Sequence, residues 1–224
     1  MGLQLLMETS SFDYEVALRS ATGSDGELGP VVAQNIRAEG FDGVAGLVSR
    51  CLAEARHGVA DLESIVVDRG PGDLMSLRSG IAYANGLAYA RKLPVAGFDS
   101  LELMARCVPE ERPVLAVRKH ARRTAFARLF VPGAAPQYVD GELDDLVEHV
   151  VGPAKVDDLV VLGAFRDELA ERLGAEALAV DAPSVRQLAD LLDEREPEFA
   201  VLARVITEAD PMFSPVREPL RAER

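Results

Sequence analysis

The stretch "VDRGPGDLMSLRSGIAYANGLAYARKLPVAG", residues 67 to 97, constrains the fold more than any other part of the chain. An apolar run, "LESIVVD" (62–68), ends at Asp68, and a Gly-Pro-Gly turn follows. A long segment of alanine and leucine then runs from about Leu74 to Lys92, and "LPVAGF" closes the unit. β-Branched residues favour strands, alanine and leucine favour helices, and Gly and Pro punctuate both. The order is therefore strand, turn, helix, strand, the signature of an α/β protein. A helix start after such a turn attracts anions, because its free N–H groups and macrodipole point outward. Here Asp73 stands at that start, where its carboxylate would cap the helix and repel a phosphate. The turn also lacks the lysine and hydroxyl of a nucleotide-binding P-loop. The reading is a strand–turn–helix with an aspartate cap, and a phosphate cradle is the alternative.

The rest of the chain is consistent with this class. "LQLLME" (3–8), "YEVALR" (14–19) and "GPVVAQNI" (29–36) read as three strands of an antiparallel meander. Residues 41–58 place Val44, Leu47, Val48, Cys51, Leu52 and Ala55 at helical spacing. "DSLELMARCV" is a helix with an Asp-Ser start. After Pro113, "PVLAVRKH" and "TAFARLFV" are two strands around a basic turn. They are followed by a helix "ELDDLVEHV", a strand "LVVLGAF", a helix at 165–173, a strand "ALAVD" and a helix "SVRQLADLLDER". The Pro-rich tail beyond Glu208 reads as irregular. Two halves are expected, 1–110 and 111–224, with no internal sequence repeat.

Composition narrows the functions. The formal net charge of −13 makes the chain a poor unaided grip on nucleic acid. Cys51 and Cys107 are too few for a disulfide framework, and no signal peptide or membrane span is legible, so a cytoplasmic protein is expected. His57, His120 and His149 are widely spaced, no metal site is expected, and no Ser/His/Asp arrangement is identifiable. Glu8, Asp13 and Asp68 lie near strand ends, where carboxylates hold magnesium or, more often, cap turns. One dense basic cluster, Arg118, Lys119, Arg122 and Arg123, is a candidate contact for tRNA phosphate or for an acidic partner, or a solvated turn.

The block from Arg69 to Glu102 carries a resemblance. Arg69, Gly70, Pro71, Gly72, Leu77, Arg78, Gly80, Gly86 and Leu87 match the motif loop and helix of the TsaB (YeaZ) family of tRNA threonylcarbamoyladenosine biosynthesis proteins, within the glycoprotease-like, actin-like ATPase superfamily. Pro94, Val95, Gly97, Ser100, Leu101 and Glu102 match the strand and helix that follow. "LQLLMETSSFDYEVAL" is similar to the family's opening strands. The chain departs from the pattern at Glu8, at Asp73 to Ser76, at His120 and at Ala125, as a divergent member would.

The resemblance implies an actin-like, ribonuclease H-like fold of two α/β half-domains. It implies a non-catalytic subunit that binds and activates a TsaD-like catalytic threonylcarbamoyltransferase, with a TsaE-like ATPase in the same system and tRNA met indirectly. ATP and metal would belong to the partner, with no cofactor on this chain. The interface would be built on the two helices of the first half, by Val44, Leu47, Val48, Cys51, Leu74, Leu77, Arg78, Ile81 and Asn85. A homodimer through the same surface, and a nucleotide-dependent enzyme of the same fold, are the alternatives.

Overall fold

The computed structural model describes residues 2–20, 31–36, 42–148, 156–194, 199–200 and 214–215. In chain order the elements are β1 (Leu3–Glu8), β2 (Glu15–Ser20), β3 (Val31–Ile36), α1 (Val44–Glu54), β4 (Leu62–Asp68), α2 (Leu74–Arg91), β5 (Val95–Phe98) and α3 (Ser100–Ala105). Then come β6 (Val114–Ala121), β7 (Thr124–Phe130), β8 (Gln137–Glu142), α4 (Leu143–Leu146), β9 (Val160–Gly163), α5 (Arg166–Leu173), β10 (Glu176–Leu178), α6 (Val185–Glu194), β11 (Phe199–Ala200) and β12 (Ser214–Pro215). Two units form: Met1–Leu103 with Ala182–Ile206, and Met104–Asp181 with Thr207–Arg224.

The first unit has one sheet in the order β11-β5-β4-β1-β2-β3. β1, β2 and β3 are the antiparallel meander, whereas β1, β4 and β5 run parallel. Parallel strands need a crossover, and α2 supplies the one from β4 to β5. β1 is buried on both faces because helices cover both. Leu3, Leu5 and Met7 join Val44, Leu47, Val48 and Cys51 of α1 and Ile81, Ala84 and Ala88 of α2 in one cluster. Leu6, with Ala17, Val66, Ala96 and Phe98, meets Val185, Leu188, Leu191 and Leu192 of α6 in another.

The second unit has the sheet β10-β9-β6-β7-β8-β12, whose first five strands repeat the order β5-β4-β1-β2-β3 without a legible sequence repeat, while β12 lies at the edge opposite to that taken by β11. Leu143, Leu146, Leu169 and Ala170 of α4 and α5 cover Leu115, Val117, Leu129, Val139 and Val161 of this sheet.

The structure departs from the sequence reading in places. The divide is not a single cut at 110: α6, far along the chain, completes the core of the first unit. α1 stops at Glu54, and Gly58 instead precedes a short 3-10 turn, Val59–Asp61. β8 went unseen in "QYVDGE" because only Val139 of it is buried; its pairing with β7 makes it a strand. Of the tail beyond Glu208, only Ser214–Pro215 is among the described residues, paired with β8.

α6 is held by two charged residues of β2. Glu15 accepts the Val185 N–H at 3.0 Å, at the positive end of the helix dipole. Arg19, almost fully buried, donates to the Ala189 carbonyl at 2.8 Å and pairs with Asp193. Burial pushes the Glu15 carboxyl up, against the Val185 N–H, with Asp13 raising it further. A raised carboxyl pKa means that the folded chain holds the proton more tightly than the unfolded chain. The stability from Glu15 is thus greatest at acid pH and is lost as pH rises through the raised value. Glu15→Gln keeps an acceptor for Val185 without the charge. Urea midpoints from about pH 4 to about pH 7 should therefore show a shallower decline with pH for the variant than for the parent. Equal slopes would refute this assignment.

Candidate functional site

The Gly-Pro-Gly turn is a clamp of backbone and carboxylate groups. Asp68, fully buried at the end of β4, accepts the Gly70 N–H at 2.8 Å, and both its oxygens lie within 2.8 Å of the Ser100 hydroxyl. Gly70, at φ +92, turns its carbonyl to the Ser100 N–H at 2.8 Å. The Arg69 N–H donates to Phe98 and the Asp73 N–H to Ser10, both at 2.8 Å. Asp73 caps α2, accepting the Ser76 N–H at 2.8 Å. The clamp ties β4, β5, α2 and the turn after β1 together, and a carboxylate holds the position at which a phosphate would meet the helix.

Glu8 ends β1 beside Asp68 and accepts the Ser10 N–H and hydroxyl, each at 2.6 Å, and the Ser11 hydroxyl at 3.2 Å. Asp13 is exposed. No group of three acidic, His or Cys side chains that could hold a metal occurs among the described residues. His149 lies outside them.

α2 is the only helix of more than 11 residues among the described residues, and it has two faces. Ser76, Leu77, Gly80, Ile81, Ala84 and Ala88 turn inward. A Cβ on Gly80 would overlap Thr9, so this glycine is needed for the turn after β1 to lie on the helix. The outward face carries Met75, Ser79, Ala82, Gly86 and Tyr89, all exposed. They are spaced by four, three, four and three residues, the spacing of a seam that packs against another helix. Met75 is 69% and Tyr89 85% exposed, and the residues between them are small. Leu74 and Arg78 border the seam, exposed, and Asn85 is half-buried at its flank.

This corrects the interface expected from sequence. Val44, Leu47, Val48, Cys51, Leu77 and Ile81 are buried in the chain's own core and cannot face a partner. Leu74, Arg78 and Asn85 remain on the outward side. Met75, Ser79, Ala82, Gly86 and Tyr89 are exposed beside them and were not singled out from sequence, although their spacing was legible in "MSLRSGIAYANGLAY".

The basic cluster is divided by its partners. Arg118 is buried and donates to the Asp181 carbonyl at 2.7 Å, and Arg123 pairs with Glu168. Only Lys119 and Arg122 of the four are exposed without an ion pair among the described residues. His120 stacks on Phe126 at 4.7 Å and lies 3.3 Å from Asp140.

Two sheets that share a five-strand order, the first carrying the capped clamp, define an α/β protein with an actin-like fold. Its described residues include no helix long and apolar enough to cross a membrane. The chain belongs to the tRNA N6-adenosine threonylcarbamoyltransferase (TsaD) family, whose model matches residues 42–190. It is 34% identical over 85 residues to the tRNA N6-adenosine threonylcarbamoyltransferase of Syntrophus aciditrophicus, covering 38% of this chain and 25% of that protein. It is 26% identical over 209 residues to the enzyme of the same name from Neisseria gonorrhoeae, covering 89% of this chain and 53% of that one. The chain thus spans about half or less of the length of these relatives. In fold it is similar to YeaZ from Pseudomonas aeruginosa, with a TM-score of 0.68 at 20% identity, covering 92% of this chain and 100% of that one.

Proposed function

We propose that this chain is a non-catalytic subunit in tRNA threonylcarbamoyladenosine modification. It docks through the outward face of α2 onto a full-length threonylcarbamoyltransferase of its own family and activates it. Substrate, ATP and metal then belong to the larger chain, a TsaE-like ATPase drives the cycle, and tRNA meets this chain only indirectly. Family membership, the likeness in fold to YeaZ, and the capped clamp support this reading.

The observation that carries it is Gly86. A glycine inside a helix costs about 1 kcal/mol relative to alanine. Among the described residues nothing lies within 4 Å of a Cβ added at Gly86, so their packing does not require it. A partner helix crossing the small-residue seam does require it, because small side chains let helix axes approach.

The test is co-purification with the full-length threonylcarbamoyltransferase from the same genome, followed by size-exclusion chromatography. Gly86→Ala should stabilise the isolated chain by about 0.5–1 kcal/mol. Gly86→Leu should fold normally and lose the complex. A Leu variant that binds as well as the parent would overturn this docking face.

A further inference from the structure

Arg69 is the one cation of the Gly-Pro-Gly turn, and the clamp gives its side chain no task. Its N–H donates to the Phe98 carbonyl, and Asp68 and Ser100 fix Gly70 beside it. Its stem runs over Gly97, the register partner of Val67 on β5, where a Cβ would overlap it. A glycine at that point leaves a slot in the sheet surface that the arginine stem fills. The residue is half-buried and its Nε is enclosed without an acceptor. Its guanidinium has no hydrogen-bond or ion-pair partner among the described residues. Arg19, Arg50 and Arg91 of the same unit each reach an acceptor.

Four carboxylates stand at this end of the sheet, and each is bound elsewhere. Glu8 holds Ser10 and Ser11, Asp68 holds Gly70 and Ser100, and Asp73 holds the Ser76 N–H. Asp99 holds the Leu101 and Glu102 N–H groups at 2.7 and 3.1 Å. A guanidinium half out of water, with no acceptor, costs the isolated chain stability. A stem locked in one slot also holds its head ready for a ligand. We propose that Arg69 is the receptor for a single carboxylate, carried by a small acid or by another chain. It stands at the carboxyl ends of parallel β4 and β5, the edge at which open α/β sheets place ligands. The planar fork of an arginine matches a carboxylate or a phosphate. The four fixed carboxylates select between them, because they repel a doubly charged phosphate more than a singly charged carboxylate.

The test compares the parent chain with Arg69→Met, which keeps a stem over Gly97 and removes the guanidinium. Without ligand the variant should melt at or above the parent's temperature. Acetate, titrated against chloride of equal ionic strength, should raise the melting temperature of the parent and of Arg50→Met, and not that of Arg69→Met. Inorganic phosphate at the same ionic strength should raise it less. Binding to the full-length threonylcarbamoyltransferase then separates the two sources. A loss on the order of 10-fold in Arg69→Met assigns the carboxylate to that partner, and unchanged affinity assigns it to a small acid. The acetate arm does not rest on the docking reading, so a parent chain that responds to acetate and forms no complex overturns the docking alone. The receptor is overturned by no acetate-specific shift in the parent, by an equal shift in Arg69→Met, by a stronger response to phosphate, or by a variant less stable than the parent.

Discussion

Replacing Gly163 by alanine will destabilise the second unit by about 3–5 kcal/mol. Gly163 ends β9 at φ +91, a region that L side chains rarely adopt. A Cβ there would drive into the carbonyl oxygen of Val117, its partner on β6, and crowd the end of Met104. That oxygen cannot retreat freely, because it accepts the Ala164 N–H at 2.9 Å as the chain turns toward α5. Backbone strain and overlap therefore add at one point of a parallel ladder. Domains of this size hold only about 5–15 kcal/mol in total, so the loss leaves the unit near its threshold. Denaturant unfolding of the full chain measures it. A variant within about 1 kcal/mol of the parent would show that the turn relaxes in a way that the structure does not indicate.

The second large effect is Leu47→Asp. Leu47 has no exposed surface and sits among Leu5, Val16 and Val48 under α1. A carboxylate there has no partner and must be buried charged or take up a proton. Either course costs on the order of 4–5 kcal/mol. The expected outcome is loss of cooperative unfolding and of soluble folded chain. Circular dichroism and thermal melts read both. Loss of a complex in Leu47→Asp would therefore report on the core and not on an interface. Retained native-like melting would place Leu47 outside the core.

The contrast between Leu47 and Gly86 shows what was legible in the sequence. The strand–turn–helix–strand core was readable from residue types: Leu62–Asp68, Leu74–Arg91 and Val95–Phe98 lie where β-branched, helix-forming and breaking residues alternate. The Asp73 cap was readable for the same local reason. Periodicity shows that a helix has an apolar face, but not what covers it. α1 has one such face, and the sheet takes it. α2 has small or apolar residues on both of its faces, so sequence alone did not decide which side was free. Long-range pairing was the other limit. Arg118 and Arg123 are neighbours in sequence but are bound to Asp181 and Glu168, and nothing local in "RKHARR" foretold it. β8 has no apolar run of its own and exists through the ladder it shares with β7.

The return of α6 to the first sheet sets an order of events during synthesis. β1, β4 and β5 leave the ribosome well before the helix that covers one of their faces. All of Met104–Asp181 is made in between. Until Val185–Glu194 is made, Leu6, Val66, Ala96 and Phe98 have only Leu103 of α3 as a helical partner in their cluster and lack the helix that supplies its other helical residues. Domains made early normally fold first. Here the segment translated in the middle has its own core available first, and the amino-terminal sheet waits. During that interval the nascent chain presents an apolar sheet face, the kind of surface that holding chaperones bind.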